Sequence, residues 1–133
     1  MAEALERLYR SVESGELAEL CQRNGVELLV VFGGAARGDS DPSDLDIAVR
    51  FHLRAVRDAL TLISDLYDIT GLEAIDLMVL NDAGPLARER AMVEGRLIYQ
   101  ARPGTFATQQ IAAIMERLDT DHLRRLELEL MTR

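Results

Sequence analysis

Apolar positions recur every three or four residues from the start of the chain. Leu5, Leu8 and Val12 share a helical face over residues 2–12, and Leu17, Leu20 and Cys21 continue the pattern over residues 16–23. Gly25 closes this helical region, as a glycine past a helix C-terminus does. The period then changes. Residues 26–32 (VELLVVF) are an aliphatic, β-branched run that reads as a buried strand. Residues 33–37 form a turn and open a short helix, and residues 39–43, with Pro42, make a polar loop in which Asp39 and Asp41 are turn and solubility residues. A second strand is expected at 45–51. A helix over 53–67 places Leu53, Val56, Leu60, Ile63 and Leu66 on one face. Gly71 breaks that pattern, and residues 74–80 (AIDLMVL) read as a third strand with Asp76 inside it. Residues 81–85 carry turn and cap chemistry leading into a helix through Val93, stopped by Gly95. Residues 96–100 add a short fourth strand. After Pro103-Gly104, residues 105–131 predict one long helix with Ile111, Ile114, Leu118 and later leucines facing inward.

This order of helices and strands predicts an α/β (α+β) architecture, a mixed sheet flanked by helices and followed by a long C-terminal helix. At 133 residues the chain is read as one domain, 1–133, with no repeat and no linker. A 48% apolar and 29% charged composition is that of a folded chain. The net charge of −8 opposes extensive nucleic-acid binding. All 15 basic residues are arginine, which excludes a P-loop lysine or a Schiff base and leaves any cationic phosphate contact to Arg. Cys21, the single cysteine, lies among leucines and is expected to be a buried small hydrophobe. No apolar run is long enough to span a membrane and no signal peptide is evident, so a cytoplasmic location is expected.

Chemistry concentrates where the first strand ends. Gly33 and Gly34 follow the apolar run directly, and glycines there let backbone N–H groups approach a phosphate. Asp44 and Asp46, spaced i, i+2 at the opening of the second strand, point to one face and can share a cation. Asp76 supplies a third carboxylate. Set among Ile, Leu, Met and Val, it is costly to bury unless something satisfies it. Three carboxylates on neighbouring strands suit two Mg²⁺ ions, hard cations that prefer oxygen. A phosphate cradle beside such a site is the equipment of phosphoryl or nucleotidyl transfer. Taken singly, the glycines are an ordinary turn and the aspartates a solvated strand end; it is their combination with Arg37 and Asp76 that carries the chemical reading.

The combination Phe32-Gly33-Gly34, nine intervening residues, then Asp44-Leu45-Asp46, with Asp76 on a later strand, resembles the signature of the polymerase-β-type nucleotidyltransferase superfamily. The resemblance covers roughly residues 20–100. Length and the Ala36-Arg37-Gly38 that follows make the chain most similar to the minimal nucleotidyltransferases (MNT), many of which are antitoxins paired with a HEPN-domain toxin. The resemblance implies a polymerase-β-like fold and an Mg²⁺-dependent enzyme that moves AMP from ATP onto a tyrosine hydroxyl of a HEPN ribonuclease. It implies that Gly33 and Gly34 hold the triphosphate and Arg37 contacts it, that Asp44 and Asp46 ligate both metal ions, and that Asp76 ligates one and faces the acceptor. Many members carry Gly-Ser where this chain has Gly33-Gly34, so a hydroxyl contact to phosphate is absent, and the spacer is one residue shorter than is common in the antitoxin group. Two alternatives stay open: an antitoxin that neutralises its partner by binding alone, and transfer to a small molecule of antibiotic type.

Arg88, Arg90 and Arg96 read as surface arginines that have the alternative of lining a nucleotide site. His52 and His122 read as surface residues without a metal partner. Arg117 and His122 fit the Arg-x4-His spacing of HEPN ribonucleases, but the four-helix bundle that motif belongs to is absent here. Beyond the reach of the sheet, Leu123, Leu126, Leu128 and Leu130 leave surplus apolar surface on the last helix, which suggests a homo- or hetero-oligomeric contact.

Overall fold

A computed structural model describes residues 1–39 and 42–132. Asp41, read above as a loop residue, lies outside the described residues. Four strands, β1 (Val26–Phe32), β2 (Leu45–Phe51), β3 (Ile75–Val79) and β4 (Arg96–Gln100), form one sheet in the order β3-β2-β1-β4. β1 runs antiparallel to β2 and β4, whereas β2 and β3 are parallel, so the sheet is mixed as expected. The helices are α1 (Ala2–Ser14), α2 (Glu16–Arg23), α3 (Gly33–Arg37), α4 (Ala59–Thr70), α5 (Pro85–Glu94) and α6 (Thr105–Met131).

The two-residue period of a strand sorts the core into two layers. Leu29 and Val31 of β1, with Leu45, Ile47, Val49 and Phe51 of β2, face α1, α2 and α4, whose Leu8, Leu17, Leu20, Cys21, Leu62 and Leu66 are buried there. Leu28, Val30 and Phe32, with Ala48, face the other way, onto Ala91 and Met92 of α5 and Ala113 of α6. Central β1 is thus covered on both sides, which is why its sequence is an unbroken apolar run rather than an alternating one. Asp46 and Arg50 share the parity of Ala48 and fall on the α5 side. Asn81 finishes β2 by imitating a neighbouring strand: its side chain accepts from the Phe51 amide at 2.9 Å and donates to the Phe51 carbonyl at 3.0 Å. Gly95 ends α5 because there is no room for a side chain. A Cβ there would lie 2.2 Å from both the Ala91 carbonyl oxygen and Val30 Cγ1.

Three expectations are corrected. The helix expected at 53–67 is α4, Ala59–Thr70, and Leu53, Val56 and Leu60 are 76%, 86% and 80% exposed. Asp58 sets its start, accepting from the Thr61 amide at 3.1 Å and the Thr61 hydroxyl at 2.6 Å. Of two overlapping helical stripes, packing selects Leu62, Leu66 and Ile69. On α6, Ile111, Ile114 and Leu118 face outward, and Ala113 is the one buried apolar residue among those described. Phe106, Gln110, Ala113 and Arg117 meet the body of the protein, while Ile111, Met115, Leu118 and Leu126 lie roughly 150° around the helix, at 100° per residue. Lastly, β3 is an edge strand and Asp76 is exposed, so its carboxylate carries no burial cost. No helix among the described residues is long and apolar enough to cross a membrane.

Candidate active site

Pairing register brings the chemistry together. Asp46 lies opposite Phe32 on β1 and opposite Asp76 on β3, so the end of the first strand and two carboxylates stand side by side across three strands. Asp44 is exposed and sits immediately before β2, on the same parity as Asp46. Gly33 follows Phe32 with φ +70°, and a Cβ on it would fall 2.2 Å from Asp46 Oδ2. Glycine alone permits both the backbone turn and the approach of the chain to the carboxylate. Gly34 is less constrained: a Cβ there would meet Asp39 Oδ2 at 2.9 Å and Pro42 Cβ at 3.3 Å, the former the free end of a side chain.

Asp46 stands between two concavities. One, of about 300 Å³, is lined by Gly34, Arg37, Asp44 and Asp46 together with Asp39 and Ser43. Arg37 is held there by Asp39 at 3.2 Å and Glu94 at 3.8 Å. The other, of about 520 Å³, opens between β3 and α5 and is lined by Phe32, Asp46, Asp76, Met78 and Arg90. Gly33, Gly34, Arg37, Asp44 and Asp76 are therefore gathered around Asp46, with Gly33 behind the carboxylate and the rest divided between its two sides.

Electrostatics mark the same point. Partial burial pushes the Asp46 carboxyl up from the usual carboxylate range, the charges of Asp76 and Asp44 push it further, and Arg90 and Arg37 act in the opposite direction. A cation between these carboxylates would relieve the repulsion, and an all-oxygen donor set suits Mg²⁺. The donor chemistry therefore fits a divalent ion, although no three His, Cys, Asp or Glu side chains among the described residues already converge as a ligand cage.

Arg90, read from the sequence as a surface arginine with the alternative of lining a nucleotide site, takes the alternative. It is exposed and lines the carboxylate cleft together with Ala87, three residues before it on the same face of α5. Arg88 corrects the surface reading in another way. It is mostly buried, pairs with Glu116 of α6 and donates to the Ala83 carbonyl at 2.7 Å, tying α5 to α6. Arg96 is exposed at the start of β4. Cys21 is buried, and burial pushes its thiol up to about 12, consistent with a core role. Arg117 is engaged by Glu89 at 3.3 Å and by Asp121, so it is a structural residue of the α5–α6 contact.

Solved structures share this fold. A chain of a toxin–antitoxin complex crystallised with AMP-PNP superposes with a TM-score of 0.68 at 18% identity, covering 90% of this chain and 98% of that one. A tri-AMPylated Shewanella oneidensis HEPN toxin in complex with MNT antitoxin contains a chain that matches with a TM-score of 0.64 at 16% identity, covering 94% and 99%. A chain of an MntA–HepT toxin–antitoxin complex matches with a TM-score of 0.62 at 17% identity, covering 90% and 96%. No curated protein matches the sequence. The sequence profile of the family described as "Polymerase beta, Nucleotidyltransferase" matches residues 15–103, which span β1 to β4 and all the carboxylates of the site. The chain belongs to the polymerase β nucleotidyltransferase family, and its fold, among the described residues a mixed four-stranded sheet with six α-helices ending in a long α6, is that of a nucleotidyltransferase.

Proposed function

We propose that this nucleotidyltransferase transfers AMP from ATP to a hydroxyl of a partner protein, a tyrosine of a HEPN-domain toxin, and so acts in the cytoplasm as an antitoxin. The observation that carries the reading is the placement of Asp46 between two concavities of different character. The cavity bearing Gly34 and Arg37 offers backbone amides and a guanidinium to a triphosphate. The cleft bearing Asp76, Phe32 and Met78 offers a carboxylate and apolar walls to an acceptor side chain carrying an aromatic ring and a hydroxyl. The solved neighbours, complexes of HEPN toxin with MNT antitoxin and one with AMP-PNP, support the same assignment by fold.

In this mechanism the first amides of α3, at Gly33 and Gly34, have no acceptor within the helix and bind phosphate oxygens, with Arg37 beside them. Asp44, Asp46 and Asp76 would hold a pair of Mg²⁺ ions, which when bound neutralise the triphosphate and favour ionisation of the acceptor. The acceptor oxygen attacks the α-phosphorus in line, the bond to the β-phosphate oxygen breaks, and pyrophosphate leaves. Asp76, exposed at the edge strand, is free to take the hydroxyl proton. Arg90 balances the carboxylate charge before substrate enters.

An outward apolar stripe on α6, with Ile111 63%, Met115 56% and Leu118 59% exposed, supports engagement of a protein partner. The deciding experiment incubates the chain with α-labelled ATP, Mg²⁺ and a HEPN-domain protein. Label in that protein, lost with Asp44→Asn/Asp46→Asn while binding persists, is the expected result. Protection from the toxin by the same variant without any label would instead establish neutralisation by contact alone.

A further inference from the structure

At the end of the sheet away from the carboxylates, the start of β1, the end of β2, the end of β4 and the start of α6 border an open concavity of about 430 Å³. Glu27, the β1 residue that lines it, is five positions from Phe32, about 17 Å at the rise of a strand. Its walls are unusual for an acidic chain. Arg54 and Arg102 line it, both exposed, and neither forms an ion pair among the described residues. Glu27, the acid within it, is already engaged by Arg50 at 3.5 Å and His52 at 3.9 Å. Arg50 Nε is shielded from solvent and has no hydrogen-bond partner. With Glu27 balanced by Arg50, Arg54 and Arg102 leave a local excess of two positive charges in a protein of net charge −8. Leu53, 76% exposed, and Ala101 add an apolar wall.

We propose that this cavity is a second ligand site, separate from the nucleotidyl-transfer centre, that takes a small organic phosphate. Two unpaired guanidinium groups at one concavity match the non-bridging oxygens of a phosphate, which they bind through paired N–H donors. The Leu53–Ala101 wall suits an apolar or aromatic body attached to that phosphate. The volume is that of a small-molecule site. Overall negative charge repels a long polyanion, so the ligand is a small phosphate ester rather than a nucleic-acid strand.

The test keeps the transfer centre silent. In EDTA, AMP and inorganic pyrophosphate are titrated by calorimetry into the Asp44→Asn/Asp46→Asn protein at constant ionic strength, with adenosine as the phosphate-free control. The expected result is a saturable single site for AMP, weakened about tenfold or more by Arg54→Gln or Arg102→Gln, partly restored by lysine at either position, and unaffected by Arg37→Gln. Both arginines are exposed, and a circular-dichroism melt of each variant establishes that the fold is intact. The proposal is overturned if neither AMP nor pyrophosphate saturates, if adenosine binds as well as AMP, or if binding survives Arg54→Gln/Arg102→Gln and disappears with Arg37→Gln.

Discussion

Replacing Asp46 by Asn should make the metal-free protein more stable while abolishing transfer. Asp46 and Asp76 are register partners on adjacent strands, and Asp44 precedes Asp46 by two residues on the same parity. Adjacent strands lie about 5 Å apart. At the rim of a cleft open to water, with an effective dielectric of roughly 40–80, two unit charges about 5–6 Å apart repel by about 0.7–1.6 kcal/mol. Asn removes that repulsion at nearly unchanged volume. For a domain of this size about 1 kcal/mol corresponds to a rise in Tm of roughly 3–5 °C. The sign follows from linkage. Because the folded carboxyl titrates above its unfolded value, native protein binds more protons than unfolded protein in that window, and its stability falls as pH rises through it. The advantage of Asp46→Asn is therefore full at neutral pH and closes as acidification protonates Asp46 in the wild type. Thermal melts of both proteins in EDTA between pH 7.5 and 4.5 measure the difference, and a second series in Mg²⁺ should narrow it from the wild-type side. A variant that melts below the wild type at pH 7.5, or a gap that widens on acidification, refutes the picture of three mutually repelling carboxylates.

Other consequences are simpler to check. Arg90→Met should push the Asp46 carboxyl higher still, since a lowering charge is lost, and reduce AMP transfer by about tenfold or more as one site cation disappears; single-turnover rates against pH read both. Asn81→Ala should cost about 1–3 kcal/mol in urea denaturation, because it strands both backbone groups of Phe51 at the end of β2. Gly34→Ser should fold with stability changed by less than about 1 kcal/mol, since the neighbouring Asp39 carboxylate can swing aside, and comparison of ATP affinity before and after the change tests the missing hydroxyl. Cys21 should resist thiol reagents at pH 8 in native protein and react at once in denaturant, because burial holds its thiol near a pKa of about 12.

What the sequence determined was local. Residues 26–32 are a buried strand because no polar side chain other than Glu27 interrupts them, and burial on both faces demands just that composition. Gly33, Asp44, Asp46 and Asp76 were legible as a constellation because chain chemistry and two-residue periodicity need no knowledge of distant partners. Packing decided the rest. Two helical stripes overlap in residues 53–70, and only contact with α1 and the sheet chose Leu62, Leu66 and Ile69 over Leu53, Val56 and Leu60. On α6 periodicity identified an apolar stripe, but not that small Ala113 and the Arg88–Glu116 and Arg117–Glu89 pairs would turn the opposite side toward α5. Asp76 needed the strand order to appear at an edge, where its charge stays in water, and Arg90 needed the crossing of α5 over the sheet to reach Asp46. Strand order and helix docking are set by long-range contacts, and no window of sequence contains both partners of such a contact.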